Sequence, residues 1–202
     1  MAGNKSSGNK SSRTRNWDII VYPASAPENW RDLIDENHIE WIESPLHDRD
    51  VNPSTGELKK AHYHVALLFP GMKTYEQVVE MIKPLNCPIP QRTLSVKGTV
   101  RYMAHLDNPE KFQYDPAAIV PHGGVDLAEL LRPTASERYG MIREMCEYVR
   151  DNQITEFQDL MDYAMFERFD TWFPALCDNC AYIVGQYIKS QRHRMQGGHD
   201  NG

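Results

Sequence analysis

Long hydrophobic runs are missing: nothing in the 202 residues approaches the ~20 continuous apolar residues that span a bilayer. The N-terminus lacks the apolar segment of a secretory signal. A cytoplasmic protein that makes no membrane contact is expected. Cysteine is scarce, and Cys87, Cys146, Cys177 and Cys180 are too irregularly placed for a disulfide framework, which excludes a stapled miniprotein and agrees with a reducing compartment. An excess of positive charge is also missing. Lys plus Arg number 22 against 28 for Asp plus Glu, a net charge of −6, so the chain as a whole does not advertise a polyanion as its partner. What is present is ordinary globular composition, 41% hydrophobic and 10% aromatic, which excludes wholesale disorder. The length suits one large domain or two small ones.

The charge is unevenly spread. Residues 1–15 carry Lys5, Lys10, Arg13 and Arg15 and no acid, and their Asn-Lys-Ser-Ser near-repeat has nothing to pack, so a disordered basic tail is expected. Trp17–Tyr22, stopped by Pro23, reads as a buried strand. Residues 27–37 have helical spacing, 39–46 form a second strand, and the polar run 48–58 has the Asn-Pro and Thr-Gly chemistry of a surface loop. A third strand, 61–69, is expected to close at Pro70-Gly71. Residues 74–85 predict a helix capped by Thr74, 92–97 a fourth strand, and Gly98 opens a short helix through Arg101 to His105. This order predicts an α+β domain over residues 16–133, an antiparallel sheet with helices on one face, near the ferredoxin-like pattern.

Beyond Pro133 the apolar spacing becomes helical. Thr134-Ala135-Ser136-Glu137 and Thr155-Glu156-Phe157-Gln158 both fit a capping box. Three helices, 135–151, 156–168 and 171–193, predict a small all-α domain over 134–195, followed by a flexible tail at 196–202. Aromatics are dense here; they fill one small core, or some face a partner subunit. The Cys177/Cys180 pair lies within a helical stretch with no second ligand pair and reads as packing.

The chemistry concentrates in the first domain. In His62-Tyr63-His64 a strand's period of 2 sends both imidazoles out of one face, roughly 6 to 7 Å apart along the strand. The preceding strand ends in Ser44-Pro45-Leu46-His47-Asp48-Arg49-Asp50, and antiparallel pairing through one loop brings His47 and its acids beside them. Three imidazoles and a carboxylate suit Mn²⁺, with Mg²⁺, Co²⁺ or Zn²⁺ as alternatives. Asp48 and Asp50 compete for the carboxylate role, since the chain is turning there.

Those segments, with Lys59-Lys60-Ala61 ahead of His62 and with Arg101-Tyr102-Met103-Ala104-His105, resemble the three motifs of the RepB-like rolling-circle plasmid replication initiators, within the His-hydrophobic-His (HUH) endonucleases. The resemblance covers about residues 16–120. It implies metal ligands at His47, Asp50, His62 and His64 and a nucleophile at Tyr102. It implies an HUH nuclease fold that binds origin DNA, followed by a helical oligomerisation domain that makes a homo-oligomer. It also implies metal-dependent, origin-specific nicking and strand transfer through a 5′-phosphotyrosine, leaving a 3′-OH primer for the host replication machinery. The plasmid origin would be single-stranded at the nick and duplex at the binding repeats.

Tyr114 is a rival nucleophile. Arg49, Lys59, Lys60, Arg101 and His105 are candidate DNA contacts, each also readable as a solvated surface residue. Competing functions are a relaxase or transposase of the same superfamily, a DNA-binding regulator with a structural metal, and a metal-free phosphoesterase, which would want two separated His-x-Thr or His-x-Ser motifs rather than one His-Tyr-His.

Overall fold

A computed structural model describes residues 13–197. The chain divides between Arg132 and Pro133 into two compact units. In the first, β1 (Thr14–Val21), α1 (Trp30–Asp35), β2 (Glu40–Glu43), β3 (Tyr63–Lys73), α2 (Tyr75–Ile82), β4 (Gln91–Arg92), α3 (Val96–Met103), β5 (Val120–His122) and α4 (Leu127–Leu131) follow in order. The strands form one sheet in the order β4-β1-β3-β2-β5, with each neighbouring pair antiparallel. This is the expected α+β class.

Helices cover both faces of that sheet, which corrects the expectation of one. Trp17, Ile19 and Val21 of β1 and Val65 and Leu67 of β3 pack with Trp30 and Ile34 of α1 and Val78 and Ile82 of α2. On the opposite face Ile42 and Ala66 pack with Val100 and Met103 of α3 and, more peripherally, with Leu127, Leu130 and Leu131 of α4. The cause is visible in β3, where Val65, Ala66 and Leu67 are all 0% exposed. A strand buried without alternation needs cover on both sides.

Several boundaries move for local reasons. Thr14 and Arg15, expected in the basic tail, belong to β1, where Thr14 pairs with Lys73; residues 1–12 of that tail lie outside the described residues. Pro70 and Gly71 do not close β3, because they fall in the register shift opposite Thr14/Asn16, where no ladder bond needs an N–H from proline. The fourth strand shortens because Ser95 caps α3, its side chain accepting from the Gly98 N–H at 3.1 Å. Thr74 caps α2 in a reciprocal box with Gln77. β5 carries a proline within three residues, a weak strand signal; it pairs as an edge strand beside Trp41, whose ring stacks on His122 at 3.6 Å. Gly123, at φ +68°, ends it where a Cβ would lie 2.7 Å from the Ile39 carbonyl oxygen, so only glycine fits.

The second unit holds α5 (Ala135–Asp151), α6 (Phe157–Glu167), α7 (Trp172–Ala175) and α8 (Ala181–Gly197), with a π-helical turn at Leu176–Cys180 joining the last two. The Thr134/Glu137 capping box forms. The one expected at Thr155/Gln158 does not: Glu156 stands at the N-cap without a side-chain bond, and the Thr155 carbonyl accepts from Arg192 Nε at 2.9 Å. The helix expected over 171–193 is interrupted by the π turn and runs on to Gly197, so Gln196 and Gly197 are helical rather than tail. Cys180 is buried in the core, as the packing reading has it, whereas Cys177 is exposed. Tyr148, Tyr163 and Trp172 pack against one another. Tyr139, Phe166, Phe169 and Tyr182 are each more than half exposed, so the aromatics exceed what the core uses. Among the described residues no helix is long and apolar enough to cross a membrane.

Candidate active site

Beyond Glu43 the β2 chain stays in step with β3. Ser44 exchanges backbone and side-chain bonds with His64, and His47 bridges His62, with N···O distances of 2.8 and 3.2 Å. His47 therefore lies across from His62, and His64, two residues on, shares that face. Ring centroids are 5.4 Å apart for His47 and His62, 4.7 Å for His47 and His64 and 4.9 Å for His62 and His64. One turn later Asp50 brings its Oδ2 to 3.3 Å from His47 Nδ1 and 4.0 Å from His62 Nε2. One donor atom from each of His47, Asp50, His62 and His64 lies within 4.8 Å of the others. Asp48 is exposed while Asp50 is buried, so of the two acids left open by the turning chain Asp50 is the one grouped with the three imidazoles.

Hydrogen bonding leaves these side chains with lone pairs facing inward. His47 Nε2 sits 2.8 Å from the Met103 carbonyl, which can only accept, so Nε2 carries the proton and Nδ1 turns a lone pair toward the Asp50 carboxylate. His62 likewise donates from Nδ1 to the Lys60 carbonyl at 2.7 Å, freeing Nε2. His64 Nε2 is buried with no partner. Two acceptors facing each other and an orphaned imidazole nitrogen are what a cation would satisfy, and backbone carbonyls that fix ring tautomers are the usual support of histidine ligands. The residues fit a divalent metal; imidazole-rich donors with one carboxylate admit Mn²⁺, Co²⁺ and Zn²⁺ readily.

Electrostatics agrees. Burial, aided by the neighbouring His47 and His62, drives the His64 pKa down to about 3, and burial also lowers His47. Burial acts to raise Asp50, but His47 and His105 outweigh it and hold the carboxyl below its ordinary value. All three groups thus favour the form that binds metal. An unfolded histidine takes a proton near pH 6.5 while folded His64 refuses it down to about 3, so acid favours unfolding across that window. From pH 7 to pH 5 this one side chain should cost about 2 kcal/mol of stability. Thermal melts of the metal-free protein should show this loss between pH 7 and pH 5, and His64→Ala should flatten it. An equal pH dependence in the variant would count against a buried, neutral imidazole at this position.

Tyr102 stands at the rim of this cluster. Its ring is edge-on to His64 at 5.3 Å, and its hydroxyl accepts from Lys111 Nζ at 2.9 Å, with the ammonium also 4.3 Å from the ring centre. Tyr114, the expected rival, is buried and turned elsewhere: its ring stacks on His47 at 4.2 Å, and its hydroxyl donates to Asp50 Oδ1 at 3.2 Å and accepts from the Arg49 N–H at 3.0 Å. Its placement orients the carboxylate.

The candidate DNA contacts separate into two groups. Arg49, Lys59 and Lys60 are exposed. Arg101 is buried in a two-point bond to Asp107 at 2.8 and 2.6 Å. His105 is 0% exposed, so neither displays a charge to solvent, contrary to expectation. The reason is the end of α3, which stops at Met103; His105 adopts φ +58° and turns inward to donate from Nδ1 to the Phe112 carbonyl at 2.7 Å. The returning loop supplies Lys111, which carries no motif and no periodic signal. Only a hydroxyl-directed search of the loop after Tyr102 would have singled it out.

Comparison with known proteins shows the family. Residues 9–128 match the family described as plasmid replication protein, origin binding domain, and residues 135–193 the one described as replication protein RepB, C-terminal. A replication protein of Staphylococcus aureus is 49% identical over 185 residues, spanning 92% of each chain. A replication protein RepB of Lactiplantibacillus plantarum is 44% identical over 185 residues, 91% of this chain and 84% of that one. A RepB of Streptococcus agalactiae is 26% identical over 160 residues, 75% and 76% of the two chains. With both family matches in sequence along one chain, and relatives of this identity over nearly its whole length, the protein belongs to the RepB-like plasmid replication initiators.

Proposed function

We propose that the protein starts rolling-circle replication by nicking its plasmid origin and transferring the strand, with Tyr102 as nucleophile. The observation that carries the reading is the placement of the Tyr102 ring 5.3 Å from His64, at the edge of four metal-competent donors lying within 4.8 Å of one another. His47, Asp50, His62 and His64 would hold the metal. When bound, a divalent cation polarises a non-bridging phosphate oxygen and orients the ester for in-line attack.

The chain's own residues supply the rest. Tyr102 Oη gives up its proton to solvent and attacks the phosphorus. The new tyrosyl O–P bond replaces the P–O3′ bond, and the departing 3′ oxygen takes up a proton to become a free 3′-OH. Lys111 places a positive charge 2.9 Å from the oxygen on which negative charge gathers. The phosphotyrosine conserves the ester's energy, so the strand can be rejoined while the 3′-OH primes the host polymerase. Exposed Arg49, Lys59 and Lys60 lie on segments next to His47, Asp50 and His62 and are suited to phosphate contacts, which reconciles an acidic chain with a DNA substrate.

Chelation is the direct test. Supercoiled plasmid carrying the cognate origin should be nicked with Mn²⁺ present, and excess EDTA should stop nicking while origin binding persists. Nicking that survives EDTA would refute the metal-dependent reading, and a protein that binds but never nicks would favour a regulator.

The helical unit is assigned to assembly, because Tyr139, Phe166, Phe169 and Tyr182 leave more apolar surface bare than its core needs. A chain ended at Arg132 should fold, cut single-stranded origin DNA and bind origin duplex about tenfold or more less tightly. Light scattering should find it monomeric while the full chain is oligomeric; a monomeric full chain would remove the assembly role.

A further inference from the structure

A groove of about 560 Å³, within the usual ~300–1,000 Å³ of ligand clefts, opens beside Tyr102 and His64. One wall is α3. Ser95, Gly98, Thr99 and Tyr102 recur at i, i+3, i+4 and i+7 and so form one stripe, and all four line the groove. The other wall is the face of β1 and β4 that carries Asp18, Ile20 and Gln91, and Ile89 and Leu94, on either side of β4, also line the groove. Two features are out of place for a mere crevice. Leu94 is 96% and Ile89 65% exposed, bare apolar side chains at the rim. On the wall stands a partly buried carboxylate, Asp18, whose Oδ2 accepts from Thr99 Oγ1 at 3.2 Å and whose Oδ1 is buried without a hydrogen bond of good geometry, although Thr93 lies close enough to influence it. Burial pushes the Asp18 pKa up against both threonines.

Apolar flanks with a hydrogen-bonding acceptor recessed between them complement a flat ring that carries N–H groups on its edge. A strand whose phosphate lies at Tyr102 has its neighbouring nucleotide within reach of this groove, and the lining is continuous from Tyr102 and His64 to Asp18. We infer that the groove receives one unpaired base of the nucleotide adjoining the scissile phosphate, its faces against Ile20, Ile89 and Leu94 and its edge read by Asp18 and Gln91. This makes the groove a specificity site for the single-stranded nick sequence. The inference rests on Tyr102 as the nucleophile only for which nucleotide is meant.

The test separates base reading from cleavage. The full chain carrying Tyr102→Phe, which keeps the ring but cannot form the ester, is used to select from single-stranded DNA with a randomised central block. One position should show a strong base preference. Gln91→Ala and Leu94→Ser, both at exposed residues, should each weaken it about tenfold while other positions keep theirs. Asp18→Asn should change which base is chosen, since one acceptor oxygen becomes a donor amide. Preferences identical in all variants, or no preference in the parent, would overturn the inference. Failure of the nickase reading would look different: Tyr102-containing protein with Mn²⁺ would form no covalent adduct on the selected sequences, although the groove variants still altered selection.

Discussion

Tyr102→Phe should abolish nicking and covalent attachment together, with a loss of about 10³-fold or more. A single-stranded origin oligonucleotide labelled 3′ of the cut should become bound to the unsubstituted protein, and mass spectrometry should locate the phosphate on the peptide containing residue 102. The change removes one oxygen and leaves the ring against His64 and His105, so packing is preserved and no cavity opens. Tyr114→Phe should leave the adduct in place, since that hydroxyl is spent on Asp50 and the Arg49 N–H; a modest loss through a less well-held carboxylate is expected instead. Lys111→Met should slow attachment without moving it to another residue. An adduct elsewhere, or undiminished cutting by Tyr102→Phe, would make a metal-activated water the better nucleophile.

The second large effect is at the imidazoles. His62→Ala and His64→Ala should each weaken Mn²⁺ binding at least about 100-fold and reduce cleavage in parallel, with circular dichroism unchanged. The fold should survive because the packed residues of β3, Val65, Ala66 and Leu67, are untouched. Metal-free His64→Ala should even gain relative to the parent in mild acid, because the substitution removes a buried nitrogen that has no partner and is held neutral there. Titration calorimetry measures the affinity, and nicking of supercoiled origin DNA measures the consequence. Wild-type Mn²⁺ affinity in both variants would remove the metal assignment. These two experiments are independent, since one changes the nucleophile and the other its electrophilic support.

Local rules carried much of this site. A strand's period of 2 is independent of context, so His62 and His64 had to share a face, and the turn chemistry of 48–58 had to bring His47 back beside them. Capping followed the same logic at Thr74 and Thr134, where the side chain and the third residue on are covalently near. The family resemblance also rests on short segments in linear order. Tertiary structure alone decided what depends on contacts distant in sequence. That Asp50 rather than Asp48 turns inward involves Tyr114, which lies 64 residues beyond Asp50 and bonds to it. Burial of Arg101 and His105, and the arrival of Lys111 at Tyr102, all follow from the left-handed turn at His105 and the loop that returns from it. That a second layer exists was legible in the unbroken apolar run Val65–Phe69 of β3, whereas only the packing shows that α3 and α4 supply it. Periodicity encodes which way a side chain leaves its own element. It does not encode which other element is there to meet it.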